Sequence, residues 1–395
     1  MTSTARGVQA PPTDAELVAR AVALQPLLRA HASDGDLNRR LDDEVIAGLS
    51  AAGFYRLFKP AQFGGYSPSV RTVVEITEAL GEADGSAAWL VGLGATTHMM
   101  IGRSEARAQE EIFGDDPDVR TAGSNQPIPA RRVEGGVVIS GRWPYSSGSH
   151  HAAWVGLGAT IVHDSGQGVD PYICLVPSSE LRLEDTWHVA GMRATGSNTW
   201  VADELFVPQH RLISISTVGE PSSTAQGLDR LPFPVIGALM LVGPILGLGR
   251  AALSAVIADL STKAMTYTVF KRRSDSVGVQ IQVAEAALTL RSSRMHALHI
   301  ADMLDEVVAG GRTLTYEERA QIRGSVGYAV RHVLEAVQRL VDVYGSGAFA
   351  EVNPVQRFWR DANAAAGHAG LNAVVGYEVL GKALFGIDER ISPLV

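Results

Sequence analysis

The chain has 395 residues, of which 46% are hydrophobic and 19% are charged, and its formal net charge is −8 at pH 7. This composition is typical of a well-packed globular enzyme and excludes a largely disordered chain. The acidic balance leaves no excess of cations to neutralise phosphates, so nucleic acid is excluded as the main partner. At about 150 residues per domain, the length predicts two or three structural units.

Cysteine content and apolar segments limit the chemistry and the compartment. Cys174 is the only cysteine, which excludes an internal disulfide and a cysteine-based zinc site. It lies in the apolar run YICLV, which predicts a buried side chain. The N-terminal residues lack the apolar stretch of a secretion signal. The apolar segment 235–249 is shorter than a bilayer span and contains Pro244. We therefore expect a cytoplasmic protein with no membrane partner, in which this segment is a buried helix.

Residues 13 to about 120 are predicted to be helical. Apolar residues recur at helical spacing between positions 41 and 52, after two carboxylates that suit a helix N-terminus, and Gly53 can end the helix. A second helix is predicted over residues 70–83. The third, SAAWLVGLGATTHMMIG (86–102), is small and apolar throughout, which indicates burial.

From residue 120 to about 215 the chain shows short β-rich runs separated by Gly, Pro, Asn and Asp. Such regular short strands predict a β-barrel or sandwich. Four long Ala-rich helices follow, over residues of about 235–272, 277–309, 316–344 and 354–383, which implies an antiparallel bundle. The expected architecture is α+β and multidomain: an N-terminal α-helical domain (1–120), a central β-domain (121–225) and a C-terminal four-helix bundle (226–395).

Three motifs in this order resemble the acyl-CoA dehydrogenase fold superfamily along nearly the whole chain. AGFYRLFKPAQFGG (52–65) resembles the signature of its first domain. DTWHVAGMRATGSNTWVADELFVP (185–208) resembles the turn and strand that close the β-domain, and NPVQRFWRDANAAAGH (353–368) resembles the last bundle helix. The resemblance implies the three-part fold of that superfamily.

Within the superfamily, WPYSSGSHHAAW (143–154) is similar to the flavin-facing segment of two-component, or group D, flavin-dependent monooxygenases. Acyl-CoA dehydrogenases commonly place a catalytic glutamate shortly after the Arg-Asp pair of the last helix. Here no carboxylate follows Asp361 until Glu378, and His368 lies in that stretch. Abstraction of an acidic α-proton needs a base there, and Ala369 cannot serve. The resemblance therefore implies an oxygenase that uses O2 and reduced FAD or FMN, with FAD slightly preferred.

The resemblance also assigns the chemistry of such a site. A C4a-hydroperoxyflavin needs a dry pocket, a hydrogen bond at flavin N5 and a group that stabilises the peroxide. Ser147 would face N5, and His368 would orient the peroxide and move a proton at near-neutral pH. His98 matches a substrate-side histidine and is a candidate base. Ser124 and Asn125 match the loop where the β-domain begins, and they could touch flavin or substrate.

Further flavin contacts are implied in the same way. Trp143 and Tyr145 would supply ring-facing walls, and the backbone amides of Ser146, Ser147 and Gly148 could reach the isoalloxazine. The other implied contacts lie in the β-domain turn, the basic segment VFKRRSDS and the glycine-rich turn YGSGAF: Met192, Arg193, Thr195, Ser197, Arg272, Arg273, Gly345, Ser346 and Gly347.

The basic segment leaves one assignment open. Lys271, Arg272 and Arg273 are all candidates for a flavin phosphate, often that of a neighbouring subunit, because the spacing to Gln280 departs from the dehydrogenase pattern. A guanidinium fork suits that task. A solvated basic helix end is the alternative interpretation.

Neither a metal nor a dinucleotide fold is expected. His150 and His151 would point to opposite faces of a strand. His296 and His299 share a helix face, but no Glu-x-x-His motif accompanies them. GLGRAA (247–252) fits a loose dinucleotide fingerprint, yet no strand precedes it, so we interpret its small residues as close helix packing.

Three functions remain open from the sequence. The first is a flavin-dependent monooxygenase that hydroxylates a phenol-like, indole-like or amine small molecule in a specialised-metabolite or catabolic pathway. It would work with a separate NAD(P)H-flavin reductase and form a homotetramer or dimer. The second is an acyl-CoA dehydrogenase or desaturase acting on an acyl thioester, and the third is a flavin-free assembly protein without catalysis.

Overall fold

The computed structural model describes residues 10–162, 169–215, 225–392 and 395. The N-terminal helices are α1 (Asp14–Asn38), α2 (Asp43–Ala51), α3 (Val70–Gly81), α4 (Gly85–Ile101) and α5 (Ala106–Phe113). The strands are β1 (Thr121–Val133), β2 (Gly136–Ser146), β3 (Trp154–Val162), β4 (Val169–Pro177), β5 (Arg182–Glu184), β6 (Asn198–Pro208) and β7 (Leu212–Ser214). The C-terminal helices are α6 (Phe233–Met240), α7 (Val242–Leu260), α8 (Val277–Ala309), α9 (Tyr316–Tyr344), α10 (Pro354–Ala366) and α11 (Ala373–Leu384).

Polar caps fix the starts of the N-terminal helices. The Thr13 hydroxyl accepts from the amide of Glu16, whose carboxylate accepts from the amide of Thr13, a reciprocal capping box before α1. The Asp42 carboxylate accepts from the amide of Glu44 at the start of α2. These side chains satisfy amides that have no partner inside the helix, so the caps set where each helix begins.

The N-terminal helices and the C-terminal bundle share one hydrophobic core, which includes residues of α1, α2, α3 and α4 together with α6 to α10. The glycine-rich run of α7 allows its close approach to α3. A Cβ added to Gly247 would lie 2.3 Å from the carbonyl oxygen of Glu78, so only a residue without a side chain fits there. The small residues of GLGRAA therefore serve helix packing, as the sequence indicates.

The seven strands form one mixed sheet in the order β5-β6-β2-β1-β3-β4-β7, in which only β1 and β3 are parallel. The strands therefore form a single sheet, as in a barrel, and not the two sheets of a sandwich. The sheet curls enough for side chains of β2, β3, β4 and β6 to share one core. Cys174 is fully buried in that core, and burial raises the pKa of its thiol to about 12, as expected for an inert side chain.

The bundle differs from the prediction at both of its ends. The expected helix over 235–272 is two helices, α6 and α7, and it ends at Leu260. Among the described residues, the segment Phe233–Leu260 is long and apolar enough to cross a membrane by composition, but 89% of its most apolar window is buried in the protein. The expected helix over 354–383 is interrupted between α10 and α11 by a short turn that starts at His368. This interruption removes His368 from regular helix and turns it towards the cavity described below.

The contact between α3 and α7 predicts a position-dependent effect of a single methyl group. We expect Gly247→Ala to destabilise the protein by about 1–3 kcal/mol, because the methyl forces two backbones apart. Gly381 lies inside α11 with no atom within 4 Å of an added Cβ, so Gly381→Ala should leave stability unchanged or raise it by about 0.5–1 kcal/mol through helix propensity. Urea unfolding of the two variants measures both effects. Equal losses for both would contradict the packing argument.

Candidate active site

A cavity of about 340 Å³ lies where the helical core meets one end of the central strands of the sheet. One face of α4 forms one wall, the first residues of β1 and the end of β2 form the opposite wall, and the turn between α10 and α11 closes one side. The lining residues are Trp89, Leu93, Thr96, Thr97, Met100, Thr121, Ala122, Gly123, Ser124, Asn125, Gln126, Pro127, Pro144, Tyr145, Ser147, Gly156, Ile173, Phe233 and His368. A larger surface cavity of about 510 Å³, between α1, α7 and the start of α10, contains none of the residues predicted for the site.

Irregular strand pairing turns predicted residues into the cavity. The register of β2 against β6 shifts between Trp143 and Ser146. Tyr145 lies within this shift with a positive φ of 61° and 74% exposure, and its ring packs edge-on against Trp187 at 6.0 Å. Bulges of this kind re-aim side chains at functional edges. Ser147 follows at once and also lines the cavity.

The start of β1 carries a second irregularity. Its register against β3 shifts between Ser124 and Ile128. A Cβ added to Gly158 of β3 would lie 2.7 Å from the carbonyl carbon of Asn125, which shows how closely the shifted segment crosses the neighbouring strand. Ser124 and Asn125 therefore line the same cavity as Ser147.

Three hydroxyl groups form a chain behind the cavity wall. The Ser147 hydroxyl lies 2.8 Å from that of Ser197, which lies 2.7 Å from that of Thr195. Thr195 donates to the carbonyl oxygen of Met192 at 2.8 Å. Ser197 and Thr195 are 4% and 2% exposed, whereas Ser147 is half-buried at the cavity surface. We call these three hydroxyls and the Met192 carbonyl the hydroxyl relay.

His368 occupies the opposite side of the cavity. Its Nδ1 accepts from the amide of Gly370 at 3.1 Å, and its ring packs edge-on against Trp89 at 5.6 Å. Desolvation and, secondarily, the positive charge of Arg323 lower the pKa of His368 below its usual value. The Arg323 guanidinium donates to the carbonyl oxygens of Gly370 and Ala369 at 2.6 and 3.1 Å. This buried arginine therefore holds the turn and disfavours protonation of the imidazole.

Of the two predicted wall residues, Tyr145 lines the cavity and Trp143 lies elsewhere. The Trp143 side chain is fully buried in the sheet core, where its Nε1 donates to the carbonyl oxygen of Gly158 at 2.8 Å. It does not line the cavity, and its role as a flavin wall stays a prediction. Ser146 is fully buried as well, and the amide of Gly148 donates to the carbonyl oxygen of Thr195 at 2.7 Å, which leaves that amide committed.

His98 does not line the cavity. It is 1% exposed, and its ring packs edge-on against Phe113 at 5.4 Å. Burial and the nearby Lys59 ammonium lower the pKa of His98 to about 3, so the ring is neutral at physiological pH. Helix α4 turns this side chain into the core that it shares with α5, and a contact between His98 and substrate stays a prediction.

The adjacent histidines behind Ser147 lie in a turn rather than in the expected strand. His150 Nε2 lies 3.0 Å from the side-chain amide nitrogen of Asn198, and His151 Nε2 lies 3.1 Å from the carbonyl oxygen of Leu41. Burial is the first cause that lowers the pKa of both, to about 4 for His151. No group of three potential metal ligands occurs within residues 10–162, 169–215 and 225–392.

The remaining predicted flavin contacts fall into two groups outside the cavity. Met192, Thr195 and Ser197 are buried behind its wall, and the Arg193 guanidinium donates to the backbone carbonyls of Asp36 and Val189. The other group lies around the end of α9. The Arg273 guanidinium donates to the carbonyl oxygen of Tyr344, next to the turn formed by Gly345, Ser346 and Gly347, whereas Arg272 pairs with Asp275 at 2.9 Å.

Sequence reasoning missed three contributors to the site. Trp89 and Phe233 line the cavity, and Arg323 holds its closing turn. Trp89 could have been found, because it shares a helical face of α4 with Leu93, Thr96 and Met100. An arginine within the small and apolar run of α9 was also a visible signal, since an interior charge needs specific partners.

The chemistry of the cavity lining suits a flavin ring. Hydroxyl and amide groups line its sheet side, and apolar and aromatic side chains line its helical side. Such a mixed surface can place a flat heteroaromatic ring with hydrogen-bonding atoms along one edge. Ser147 is the residue that can reach a ring nitrogen, and His368 is the titratable group across from it.

Comparison with known proteins agrees with this geometry. The family model for the acyl-CoA dehydrogenase C-terminal domain matches residues 239–373. The chain is 31% identical over 374 residues to the flavin-dependent monooxygenase oxygenase subunit HsaA of Rhodococcus jostii (strain RHA1), covering 92% of this chain and 97% of that protein. It is 30% identical to the oxygenase component of an FADH2-dependent resorcinol hydroxylase from Rhizobium sp. (strain MTP-10005), with 95% of each covered. XiaF from Streptomyces sp., solved with FADH2 and glycerol, matches with a TM-score of 0.92 and 34% identity, over 96% of this chain and 97% of that one.

The contact between Arg323 and the closing turn predicts a titration effect. Arg323→Met removes the charge that lowers the pKa of His368, so we expect the imidazole to protonate at a higher pH than in the native protein. Arg323→Lys keeps a positive charge and should hold the pKa closer to the native one. NMR titration of the His368 ring protons measures both variants. An unchanged pKa in Arg323→Met would show that Arg323 acts only as a structural tie.

Proposed function

The chain belongs to the family of flavin-dependent monooxygenase oxygenase subunits with the acyl-CoA dehydrogenase fold, and from this premise we propose that it hydroxylates a neutral aromatic small molecule in the cavity between Ser147 and His368. The composition of the cavity lining favours an oxygenase over an acyl-CoA dehydrogenase. Among the described residues that line the cavity, none is Asp, Glu, Lys or Arg. The site therefore lacks the carboxylate base that acyl-CoA dehydrogenases commonly use for α-proton abstraction from an acyl thioester.

The cavity lining also indicates the chemical class of the substrate, a neutral aromatic compound. Trp89, Met100, Ile173 and Phe233 offer aromatic and aliphatic surface, which fits the faces of a phenol-like or indole-like ring. Ser124 and Asn125 supply the hydrogen-bonding groups that orient a hydroxyl or amine substituent. A charged substrate would lose hydration without an ionic partner in the described lining, so neutral aromatics are preferred.

The roles of the chain's own residues follow from their positions. A reduced flavin held in this cavity would supply the electrons that activate O2, one atom of which is transferred to the substrate. Ser147 orients the ring through its hydroxyl, and the apolar face of α4 excludes water from the reacting edge. His368 is neutral near pH 7 because its pKa is lowered, so its imidazole can accept a proton from the cavity side. The Arg323 contacts keep that imidazole in place.

FAD rather than FMN is the preferred form of the cofactor. Arg273 and the turn at Gly345 lie together but outside the cavity, and they suit the phosphates and nucleotide end of a longer cofactor. The relative XiaF, which is 34% identical, was solved with FADH2. We assign this cluster to the flavin of a neighbouring copy of the chain.

An exposed apolar stripe on α8 supports assembly into a homotetramer. Val277, Ile281, Leu288 and Met295 recur at intervals of four and seven residues and are 65%, 54%, 65% and 63% exposed. Such spacing places them on one face of the helix. A stripe of this length is costly to leave in water, and a second copy of the chain can cover it.

The supply of electrons and the compartment complete the proposal. Oxygenase subunits of this family receive reduced flavin from a separate reductase, and here that partner is an NAD(P)H-flavin reductase. We assign the protein to the cytoplasm, where such a reductase and its nicotinamide cofactor are available. A specialised-metabolite or catabolic pathway is the expected setting for aromatic hydroxylation.

Hydroxylation can be tested directly with supplied reduced flavin. We expect the protein, mixed with reduced FAD, a flavin reductase and ¹⁸O2, to place one ¹⁸O atom in a phenol-like or indole-like compound, as measured by mass spectrometry. Ser147→Ala should lower product per flavin oxidised by about 10-fold, since one hydrogen bond to the ring is lost. Ser254→Ala, at an exposed position of α7 outside the cavity, is the control and should retain coupling. Desaturation of an acyl thioester without oxygen transfer would refute the proposal.

The α8 stripe predicts the oligomeric state. We expect the native protein to have about four times the chain mass of 41.9 kDa by light scattering, and Leu288→Glu to reduce that mass because a carboxylate is buried in the interface. Leu37 is 72% exposed on α1, and Leu37→Glu is the control that should leave the assembly intact. A native monomer would contradict the proposal.

A further inference from the structure

The hydroxyl relay ends on a group that can only accept. The Met192 carbonyl receives the Thr195 hydroxyl at 2.8 Å, and it also accepts from the indole Nε1 of Trp187 at 3.1 Å. A carbonyl oxygen has no proton to give, so the single hydroxyl proton of Thr195 is used at this contact. The direction of hydrogen-bond donation along the hydroxyl relay follows from this contact with the Met192 carbonyl.

Each hydroxyl has one proton, so the direction passes from oxygen to oxygen. Since Thr195 donates to Met192, the 2.7 Å contact between Ser197 and Thr195 must be donated by Ser197. The 2.8 Å contact between Ser147 and Ser197 must then be donated by Ser147. The reverse direction would leave two oxygens 2.7 Å apart with no proton between them, which is repulsive.

This direction leaves Ser147 with lone pairs only for a ligand in the cavity. An oxidised isoalloxazine carries a lone pair at N5, whereas a reduced isoalloxazine carries an N–H there. An acceptor hydroxyl can bond the N–H but is repelled by the lone pair. The buried relay therefore distinguishes the two redox states of the same ring.

We propose that Ser197 and Thr195 are positioning residues that fix Ser147 as an acceptor and so make the site selective for reduced over oxidised flavin. The proposal rests on the proposed function, because it requires flavin in this cavity. It gives the oxygenase a means to take reduced flavin from a reductase and to release the ring once it is oxidised. Neither positioning residue touches the ligand: both are buried behind the wall.

The test compares binding of oxidised FAD and of anaerobically reduced FAD to the full-length protein, by calorimetry or fluorescence titration. The native protein should bind the reduced form more tightly. In Ser197→Ala the Ser147 proton is released and can be donated to N5 of oxidised FAD. We expect oxidised FAD to bind about 10-fold more tightly than to the native protein, which corresponds to about 1.4 kcal/mol, with little change for reduced FAD.

Further variants distinguish an effect of hydrogen-bond direction from a general loss of structure at these positions. Thr195→Val keeps the side-chain shape but lacks the donor to Met192, so it should shift the ratio of the two dissociation constants in the same sense as Ser197→Ala. Thr195→Ser and Ser197→Thr retain the hydroxyls and should restore the native ratio. Thr199 of β6 forms a separate hydroxyl pair with Thr186 at 2.8 Å, and Thr199→Val should leave the ratio unchanged.

The outcomes are distinguishable from failure of the proposed function. Equal weakening of both redox states in Ser197→Ala and Thr195→Val would overturn the relay and leave only a structural role for these residues. A native protein that binds both states equally would overturn it as well. A native protein that binds neither state would instead refute the flavin site on which the proposal rests.

Discussion

The backbone of Met192 joins the turn before β6 to the C-terminal bundle. Its amide donates to the carboxylate of Asp361 on α10 at 2.6 Å, and its carbonyl accepts from Thr195 and Trp187, which lie in the connection between β5 and β6. Asp361 is buried, and burial together with the carboxylates of Asp84 and Asp36 raises its pKa to about 7 against the opposing amide bond. A buried carboxylate is costly unless it is bonded, so this contact fixes the turn against the bundle.

The neighbouring residues reinforce the same contact. A Cβ added to Gly191 would lie 2.3 Å from the carbonyl oxygen of Arg360, so the turn and α10 meet at the backbone. The Arg360 guanidinium pairs with Asp36 of α1 at 3.0 Å, and Arg193 donates to the carbonyl of the same Asp36. The sheet, α1 and α10 are thereby held in one arrangement. The cavity exists because this arrangement leaves space between Ser147 on the sheet side and His368 beyond α10.

The histidines of the chain differ in accessibility and in the environment that sets their pKa values. His98 and His151 are surrounded by protein, and desolvation lowers their pKa values to about 3 and about 4. His368 is also shifted downwards, yet it remains accessible in the cavity and is held by Arg323 contacts rather than by an acid. A neutral and accessible imidazole is the form that can accept a proton during turnover. Desolvation thus keeps His98 and His151 neutral inside the protein, whereas the neutral imidazole of His368 is accessible from the cavity.

Several features were determined by local sequence. Periodicity and capping residues fix α1 to α4, and Cys174 is inert because its neighbours are apolar. Ser147, Tyr145, Ser124, Asn125 and His368 were identified from motifs, and they do line one cavity. Glycine-rich residues 247–252 were correctly interpreted as helix packing, because local pattern alone showed that no strand precedes them.

Other features were decided only by tertiary structure. Strand alternation places Trp143 and Tyr145 on the same face of the sheet. The register shift between Trp143 and Ser146 and the positive φ of Tyr145 separate them, so that Tyr145 lines the cavity while Trp143 stays in the sheet core. The face of α4 that carries His98 could be known only once α5 packed against it. The hydroxyl relay joins residues 50 positions apart, and its direction depends on a backbone carbonyl that no sequence pattern marks. Sequence specifies which groups are present and their local periodicity. Long-range packing decides which groups meet, because burial and proton direction depend on neighbours that are distant along the chain.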